Sequence, residues 1–485
     1  MSIPYDTQRA DYIDALKGWK LVRDCVAGTK AVKSDPLYMV QPDPDDKSQE
    51  NVSRLLQLIK RAMFLNVTGR TRTGLVGAVF RKDAEVELPT AIDYIEDNAS
   101  GDNVSLCQFA KRVVSELLMV GRAGILVEYP SSMVPDGQSI PLTRSQTDGN
   151  RSYMHFYPSE SIINWHTEVI NGVRVLTLVV LYECVSKLGD DGFSQEIVEQ
   201  YRALRLIDGE YVQELYSDGA LQSSVTPKKA NGQSFDYIPF HFAGAENNDD
   251  DIDIAPLYDL AEVNILHYQN SATVEDSAFI ASQPTLFITT NLDDSAFASA
   301  NPNGIKLGAR AGHTLGSQGT ATLLQASESQ LALTLMDKKE QQMVMIGARI
   351  VQDSSSNETA QAARIKHTGD NSVLSNITGN ASSAIMMALY DVFAFMSASE
   401  PNDDEITYTL NQEFFDEPLD APTILALVQA WQQGVFAKSD LRTNMRQSGF
   451  IDPSRTDDEI DDELSEQAPI SGTAQSTPAT TETDE

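Results

Sequence analysis

The 485 residues carry 70 Asp+Glu against 36 Lys+Arg, a formal net charge of −34 with a sequence pI near 4.4. So acidic a chain excludes a conventional nucleic-acid binder, whose affinity rests on Lys and Arg neutralising phosphates. An acidic wall that repels a duplex and leaves it free to slide, or simple solubility, both remain open. A hydrophobic share of 41% and a mean hydropathy of −0.27 are those of a soluble globular chain, long enough for roughly two to four domains. The longest apolar runs are too short to span a bilayer. The start, Met1-Ser2-Ile3-Pro4-Tyr5-Asp6, lacks the basic and apolar regions of a signal peptide. Cys25, Cys107 and Cys184 are too scattered for a disulfide framework or a cysteine zinc site, so a reduced, cytosolic protein is expected.

In chain order, a helix is expected over 5–27, followed by a linker, Gln41-Pro42-Asp43-Pro44-Asp45-Asp46. Val52, Leu55, Ile59 and Met63 mark one face of a second helix, and a glycine-punctuated apolar segment occupies 71–82. Ser105 and Gln108 form a capping box opening a helix with Phe109, Val113, Leu117 and Val120 on one face. It ends near Gly121 and feeds a buried strand over 124–129. Between Tyr153 and Phe242 the period changes to two. Strands are expected at 153–157, 173–185, 196–207 and 211–216, separated by Asn-Gly and Asp-Gly turns, in a mostly antiparallel region. The acidic loop Asn247-Asn248-Asp249-Asp250-Asp251-Ile252-Asp253 closes it. A helix then runs from Pro256, where proline suits the first turn, to Gln283. Residues 284–326 hold a strand at 285–290 and a Gly/Asn/Ser-rich loop that should gain order from neighbours.

Ser327 and Gln330 form a second capping box, after which Leu331, Leu335, Met343, Ile346 and Ile350 recur at helical spacing. The polar stretch Gln352-Asp353-Ser354-Ser355-Ser356-Asn357-Glu358-Thr359 interrupts the pattern. It resumes from Ala360 through Leu374, Ile377, Ala381, Ile385, Ala388, Val392 and Phe395. A plain helical hairpin fits this pattern, and so does a ring that grips something moving through it. A strand at 405–410 and helices at 423–433 and 438–447 follow. Residues 457–466, with seven acids and no base, and the Ser/Thr/Pro/Ala-rich 467–485 are expected to be disordered.

The sequence contains no Gly-x-x-x-x-Gly-Lys-Ser/Thr, His-Glu-x-x-His or Gly-x-Ser-x-Gly motif. His166-Thr167-Glu168 mimics the start of a deaminase motif but has no Pro-Cys-x-x-Cys to accompany it. His155, His166, His241, His267, His313 and His367 include no pair at metal-ligand spacing and read as structural or surface residues. Asp249–Asp253 lacks the alternating ligands and glycine of an EF-hand. No catalytic residue, metal site or cofactor is expected. An acidic hydrolase using a carboxylate pair is the enzymatic alternative.

Several segments, in order, resemble a tailed-bacteriophage portal protein, of a subfamily catalogued as a domain of unknown function. They are Thr73-Gly74-Leu75-Val76-Gly77-Ala78-Val79-Phe80-Arg81-Lys82, Val120-Gly121-Arg122-Ala123-Gly124-Ile125-Leu126-Val127-Glu128-Tyr129-Pro130 and Tyr157-Pro158-Ser159-Glu160-Ser161-Ile162-Ile163-Asn164-Trp165. Ala255-Pro256-Leu257-Tyr258-Asp259-Leu260-Ala261-Glu262 and Ala437-Lys438-Ser439-Asp440-Leu441 through Phe450-Ile451-Asp452-Pro453 complete the set. No single motif is diagnostic; the shared order over residues 50–465 carries the resemblance.

The resemblance implies an α+β portal fold: an α/β wing over 1–254, a first stem helix over 255–283, a clip over 284–326 and a second stem helix over 327–351. It further implies a tunnel loop over 352–360, a C-terminal wing part with a long helix over 361–420 and a helical crown over 421–464, leaving a disordered acidic tail over 465–485. It implies a homo-oligomer, a dodecamer, at one capsid vertex of the virion, assembled in the host cytoplasm. The ring passes double-stranded DNA without sequence specificity during packaging and ejection. Its partners are the terminase large subunit, the head-to-tail adaptor, and the major capsid and scaffolding proteins, with no membrane. A different head-tail connector or minor capsid protein is the structural alternative. Gln352, Asp353, Ser354, Ser355, Ser356 and Asn357 fall where the tunnel loop sits. Arg364 and Lys366 are candidates for a weak phosphate contact or simply a solvated helix face, and Lys306, Arg310 and His313 of the clip for meeting an acidic partner.

Overall fold

A computed structural model describes residues 4–129, 150–189, 191–282, 285–302, 304–305, 315–324, 330–349, 373–402, 405–414, 429, 437–447, 451 and 455–466. The chain divides into two units, Met1–Gln412 and Glu413–Glu485. The fold is α+β, with helices and antiparallel sheets.

The first unit begins with α1 (Ala10–Ala27), α2 (Thr29–Ser34), α3 (Gln49–Arg61), α4 (Val67–Val79) and the short strand β1 (Glu85–Glu87). Next come α5 (Leu106–Val120), β2 (Arg122–Glu128), β3 (Tyr153–Pro158), β4 (Ile162–Ile170) and β5 (Val173–Leu188). β6 (Gln195–Ile207), β7 (Glu210–Ser217), β8 (Ala220–Val225) and β9 (Phe240–Gly244) lead to α6 (Tyr258–Ala281). Then follow β10 (Thr285–Thr289), α7 (Asp294–Ala300), β11 (Thr320–Leu324), α8 (Gln330–Arg349), α9 (Val373–Met396) and β12 (Thr407–Thr409).

The core forms around β2. It is the middle strand of an antiparallel β3-β2-β9 sheet, with Ala123, Ile125, Leu126 and Val127 all buried. The capping box that opens α5 is present: Ser105 Oγ accepts from the Gln108 N–H and Gln108 Oε1 from the Ser105 N–H, each at 3.3 Å. Phe109, Val113, Leu117 and Val120 are fully buried, as their spacing requires. Gly121 ends α5 at φ 79°, where a Cβ would lie 2.8 Å from the Asp253 carbonyl oxygen; the turn into β2 therefore needs glycine. α9 packs on α5, β2, β3 and β9, burying Leu374, Ile377, Ala381, Ile385, Ala388, Val392 and Phe395. β12 then pairs with β1, far back in the chain.

The second sheet is an antiparallel meander, β4-β5-β6-β7-β8. Asn171-Gly172, Asp208-Gly209 and Asp218-Gly219 each place two consecutive residues at positive φ, the requirement of tight two-residue hairpins. β4, β8 and β9 are absent from the periodicity reading. The first two are the outer partners that the Asn171-Gly172 and Asp218-Gly219 turns demand.

The N-terminal helix begins at Ala10, not at residue 5. Pro4–Asp6 is a 3-10 turn whose Tyr5 ring stacks on Tyr216 at 4.5 Å, drawing the chain onto the sheet before the helix starts. The glycine-punctuated segment lies mostly within α4, whose N-cap Asn66 accepts from the Gly69 N–H at 2.8 Å. Within α3, Ile59 is buried while Val52 is exposed, and Met63, beyond the helix end, is exposed as well. Residues 284–326 hold more order than a strand and a loop: β10 pairs with β11, and α7 starts from Asp293, whose carboxylate caps the Ala296 N–H at 2.7 Å.

The described part of the second unit is a pair of helices, α10 (Lys438–Gln447) and α11 (Asp457–Glu466). The expectation of disorder over 457–466 is overturned. Arg442 Nη1 donates to Asp461 Oδ2 and to the Asp457 carbonyl, each at 3.1 Å, and Lys438 and Arg446 pair with Asp461 and Asp457. The bases that neutralise this acidic run sit on the neighbouring helix, outside the window that defines the run. The expected helix over 423–433 lies outside the described residues.

Candidate functional site: an antiparallel helical arm

α6 and α8 pack along one another as an antiparallel pair, and the β10–β11 ribbon continues the same excursion: Thr285 pairs with Leu324 and Thr289 with Thr320. α6, with 24 residues, is about 36 Å long. Its first half is anchored in the core. Asn264 Oδ1 accepts from the Thr68 hydroxyl at 2.9 Å and its amide donates to the Leu65 carbonyl at 2.8 Å. The Ser271 hydroxyl meets the Met63 backbone. Further along, Arg61 pairs with Asp276 at 2.9 Å and lies 3.6 Å from the Phe279 ring centre. His267 is buried, with Nε2 3.2 Å from Glu340 of α8. Burial raises the Tyr268 phenol above its ordinary value.

The inward seam of α8 differs from the stripe read in the sequence. Ala332 and Met343 are buried and Met336, Lys339 and Ile346 half-buried, at alternating spacings of four and three, with Gly347 half-buried beside them. Leu331 is instead 72% exposed, and Leu335 is exposed too. The segment Leu331-Ala332-Leu333-Thr334-Leu335-Met336 is apolar nearly all round, so hydrophobicity alone cannot say which side turns inward. Lys338 was the available signal, because a stripe continued three residues on from Leu335 runs into this exposed lysine. The outward side of the arm carries Leu331, Leu333, Val344 and Met345 of α8 with Phe279 and Ile280 of α6. In the single chain these side chains are all exposed to water. α6 also carries Asp259, Glu262, Glu275 and Asp276 and no Lys or Arg.

Beyond the helices, Leu286, Ile288, Thr290, Asp294, Phe297 and Ile305 line a cleft of about 460 Å³. Lys306, Arg310 and His313, expected to meet a partner there, lie outside the described residues. So do Gln352, Asp353, Ser354, Ser355, Ser356, Asn357, Arg364 and Lys366, together with Ser327 of the second capping box and Ile350. The acidic loop Asp249–Asp253 is engaged by protein contacts: Asp250 accepts from Thr167 and pairs with Arg174, and Asp253 Oδ2 accepts from the Glu246 N–H at 2.8 Å. Among the described residues, no cluster of His, Cys, Asp and Glu is arranged to hold a metal ion, and no helix is long and apolar enough to cross a membrane.

Residues 256–396, the arm with α9, match the family described as "Domain of unknown function (DUF4055)". This agrees with the sequence resemblance to a portal subfamily so catalogued. No curated protein matches the chain. Among solved structures, a chain of "Virion of native gene transfer agent (GTA) particle" is similar at 14% identity and TM-score 0.41, over 83% of this chain and 95% of that one. A chain of "Neck of empty GTA particle computed with C6 symmetry" is similar at 13% identity and TM-score 0.41, over 83% and 94%. One of "Neck of native GTA particle computed with C12 symmetry" is similar at 13% identity and TM-score 0.40, over 78% and 88%.

Proposed function

We propose that this chain is a phage portal protein: a non-enzymatic ring subunit at a single capsid vertex, through which a separate ATPase moves double-stranded DNA. The observation that carries the reading is the antiparallel arm α6–β10–β11–α8, whose apolar outer side a lone chain leaves in water. In a ring, neighbouring arms cover one another and together wall a channel. In that reading α6 and α8 are the stem, 284–326 the clip, 352–360 the tunnel loop and 421–464 the crown, with 1–254 and 361–420 forming the wing. The clip would receive the terminase and later the head-to-tail adaptor. The acids of α6 and the surplus of the whole chain suit a wall that repels phosphates and leaves the duplex free to slide. The loop at 352–360 has no aromatic side chain on which bases could stack.

Negative-stain electron microscopy with native mass determination tests this. Rings with a central hole and a mass near twelve times 53.2 kDa are expected; a chain that forms no ring at any salt concentration overturns the reading. Deleting Ser354–Asn357 is expected to leave rings intact and impair packaging. DNA-filled heads at the wild-type level from that variant would remove the tunnel-loop assignment.

A further inference from the structure

In a chain of net charge −34, residues 51–82 hold seven Lys and Arg and no Asp or Glu. α4 lies within this segment. Its Arg70, Thr73, Gly74 and Gly77 are exposed and recur three, one and three residues apart, the spacing of one helix face. A Cβ on Gly74 or Gly77 would meet nothing within 4 Å, so this face is open. α5, beside it, adds exposed Lys111 and Arg112. Lys111 Nζ lies 5.3 Å from the centre of the Phe80 ring at the end of α4, and Arg72 Nη1 donates to Ser115 Oγ at 3.3 Å.

The two helices carry one acid between them, Glu116, which is buried against Arg23. Among the described residues, no carboxylate forms an ion pair with Arg70, Arg72, Lys111 or Arg112. Asp83 and Asp102, the acids that flank the helices in sequence, stand outside both, and Asp102 is the one that the Arg112 charge reaches. The exposed faces of α4 and α5 therefore present bases and no acid of their own.

Two observations choose the partner. Among the described residues between Phe64 and Glu168, no large apolar side chain is exposed. A protein partner needs apolar or aromatic anchors that lose their water, whereas phosphate oxygens need only bases on an open surface. The face also stands at the foot of the arm: a Cβ on Gly347, near the end of α8, would lie 3.5 Å from the Thr71 side chain.

We propose that the open face of α4, with Lys111 of α5, contacts the phosphates of double-stranded DNA. The inference rests on the ring reading above and names where the duplex is touched. Acids elsewhere on the chain repel the duplex, so a few bases per subunit hold it weakly and leave it free to move. Phosphate contacts read no base edge, and the hold is independent of sequence.

The test measures anisotropy of a labelled mixed-sequence duplex of about thirty base pairs against assembled full-length rings, over a salt series. Arg70→Glu/Lys111→Glu is compared with Lys187→Glu/Lys228→Glu, which makes the same change of net charge at exposed lysines of other segments. The first variant is expected to bind about tenfold more weakly than the second and to lower the salt slope by about two, with unchanged circular dichroism. Equal binding by the two variants, or no binding by wild-type rings at low salt, overturns the contact and leaves the ring standing. An Arg70→Glu/Lys111→Glu chain that keeps its duplex affinity but fails to form rings also overturns it, because the face then meets the acidic surface of another copy. A wild-type chain that never forms rings overturns the ring reading, while duplex binding by that unassembled chain, lost only in the first variant, supports the phosphate contact.

Discussion

Arg202 is held between two carboxylates inside the meander. Its Nε donates to Glu183 at 2.7 Å and its Nη1 pairs with Glu128. The Tyr157 hydroxyl and the Gln200 amide also donate to Glu183, each at 2.6 Å, and Gln213 donates to Glu128 at 2.6 Å. Arg202→Ala would strand both carboxylates away from most of the solvent, and a loss of about 3 kcal/mol in urea unfolding is expected. Burial pushes the Glu183 carboxyl up, but Arg202, Tyr157 and Gln200 outweigh it and hold the group below its ordinary value. Its stabilisation is therefore present above the unfolded value of about 4.3 and lost as pH falls through the lowered folded value. The deficit of Glu183→Gln relative to wild type should be largest near neutrality and shrink toward about pH 3, read from unfolding midpoints. Among the thiols, burial first and then the Asp24 charge push Cys25 up to about 12, whereas Cys107 and Cys184 are exposed. A native thiol titration is expected to consume two groups quickly and the third only after unfolding.

α8 separates the two uses of apolar surface within one helix. Met343, 1% exposed, faces α6, and its replacement by Asp would bury an unpaired charge; the folded chain itself should lose several kcal/mol. Val344, next in sequence and 71% exposed, faces outward, and Val344→Asp should spare the unassembled fold while weakening rings. Ile346, half-buried, belongs with Met343, and Ile346→Asp should damage the pair. Equal assembly of the Met343 and Val344 variants, measured by native mass, would contradict this division. In the second unit, Arg442→Ala removes the clamp on Asp461 and is expected to raise hydrogen exchange across 457–466. These elements also show how far the sequence could be read. The α5 capping box, the α9 stripe and the Asn-Gly and Asp-Gly turns are local signals, and the structure keeps each of them. The inward side of α8 and the order of α11 depend on partners outside their own segments, so periodicity and composition misplace them. β4 and β8 were legible through their turns rather than through their own alternation.

At the scale of the whole molecule, the first unit closes on itself late. α9 covers α5 and β2, which were laid down more than two hundred residues earlier, and Glu85–Glu87 finds its partner only at Thr407–Thr409. A chain stopped at residue 372 would leave that face of α5 and β2 open to water, and it is expected to be recovered as aggregate, checked by sedimentation after expression. During translation the same topology acts as a timer. At about 5–20 residues per second, tens of seconds separate the emergence of β2 from that of the helix that seals it. For that interval the nascent chain has an unfinished core. The core is complete only once Val373–Met396 and Thr407–Thr409 have emerged.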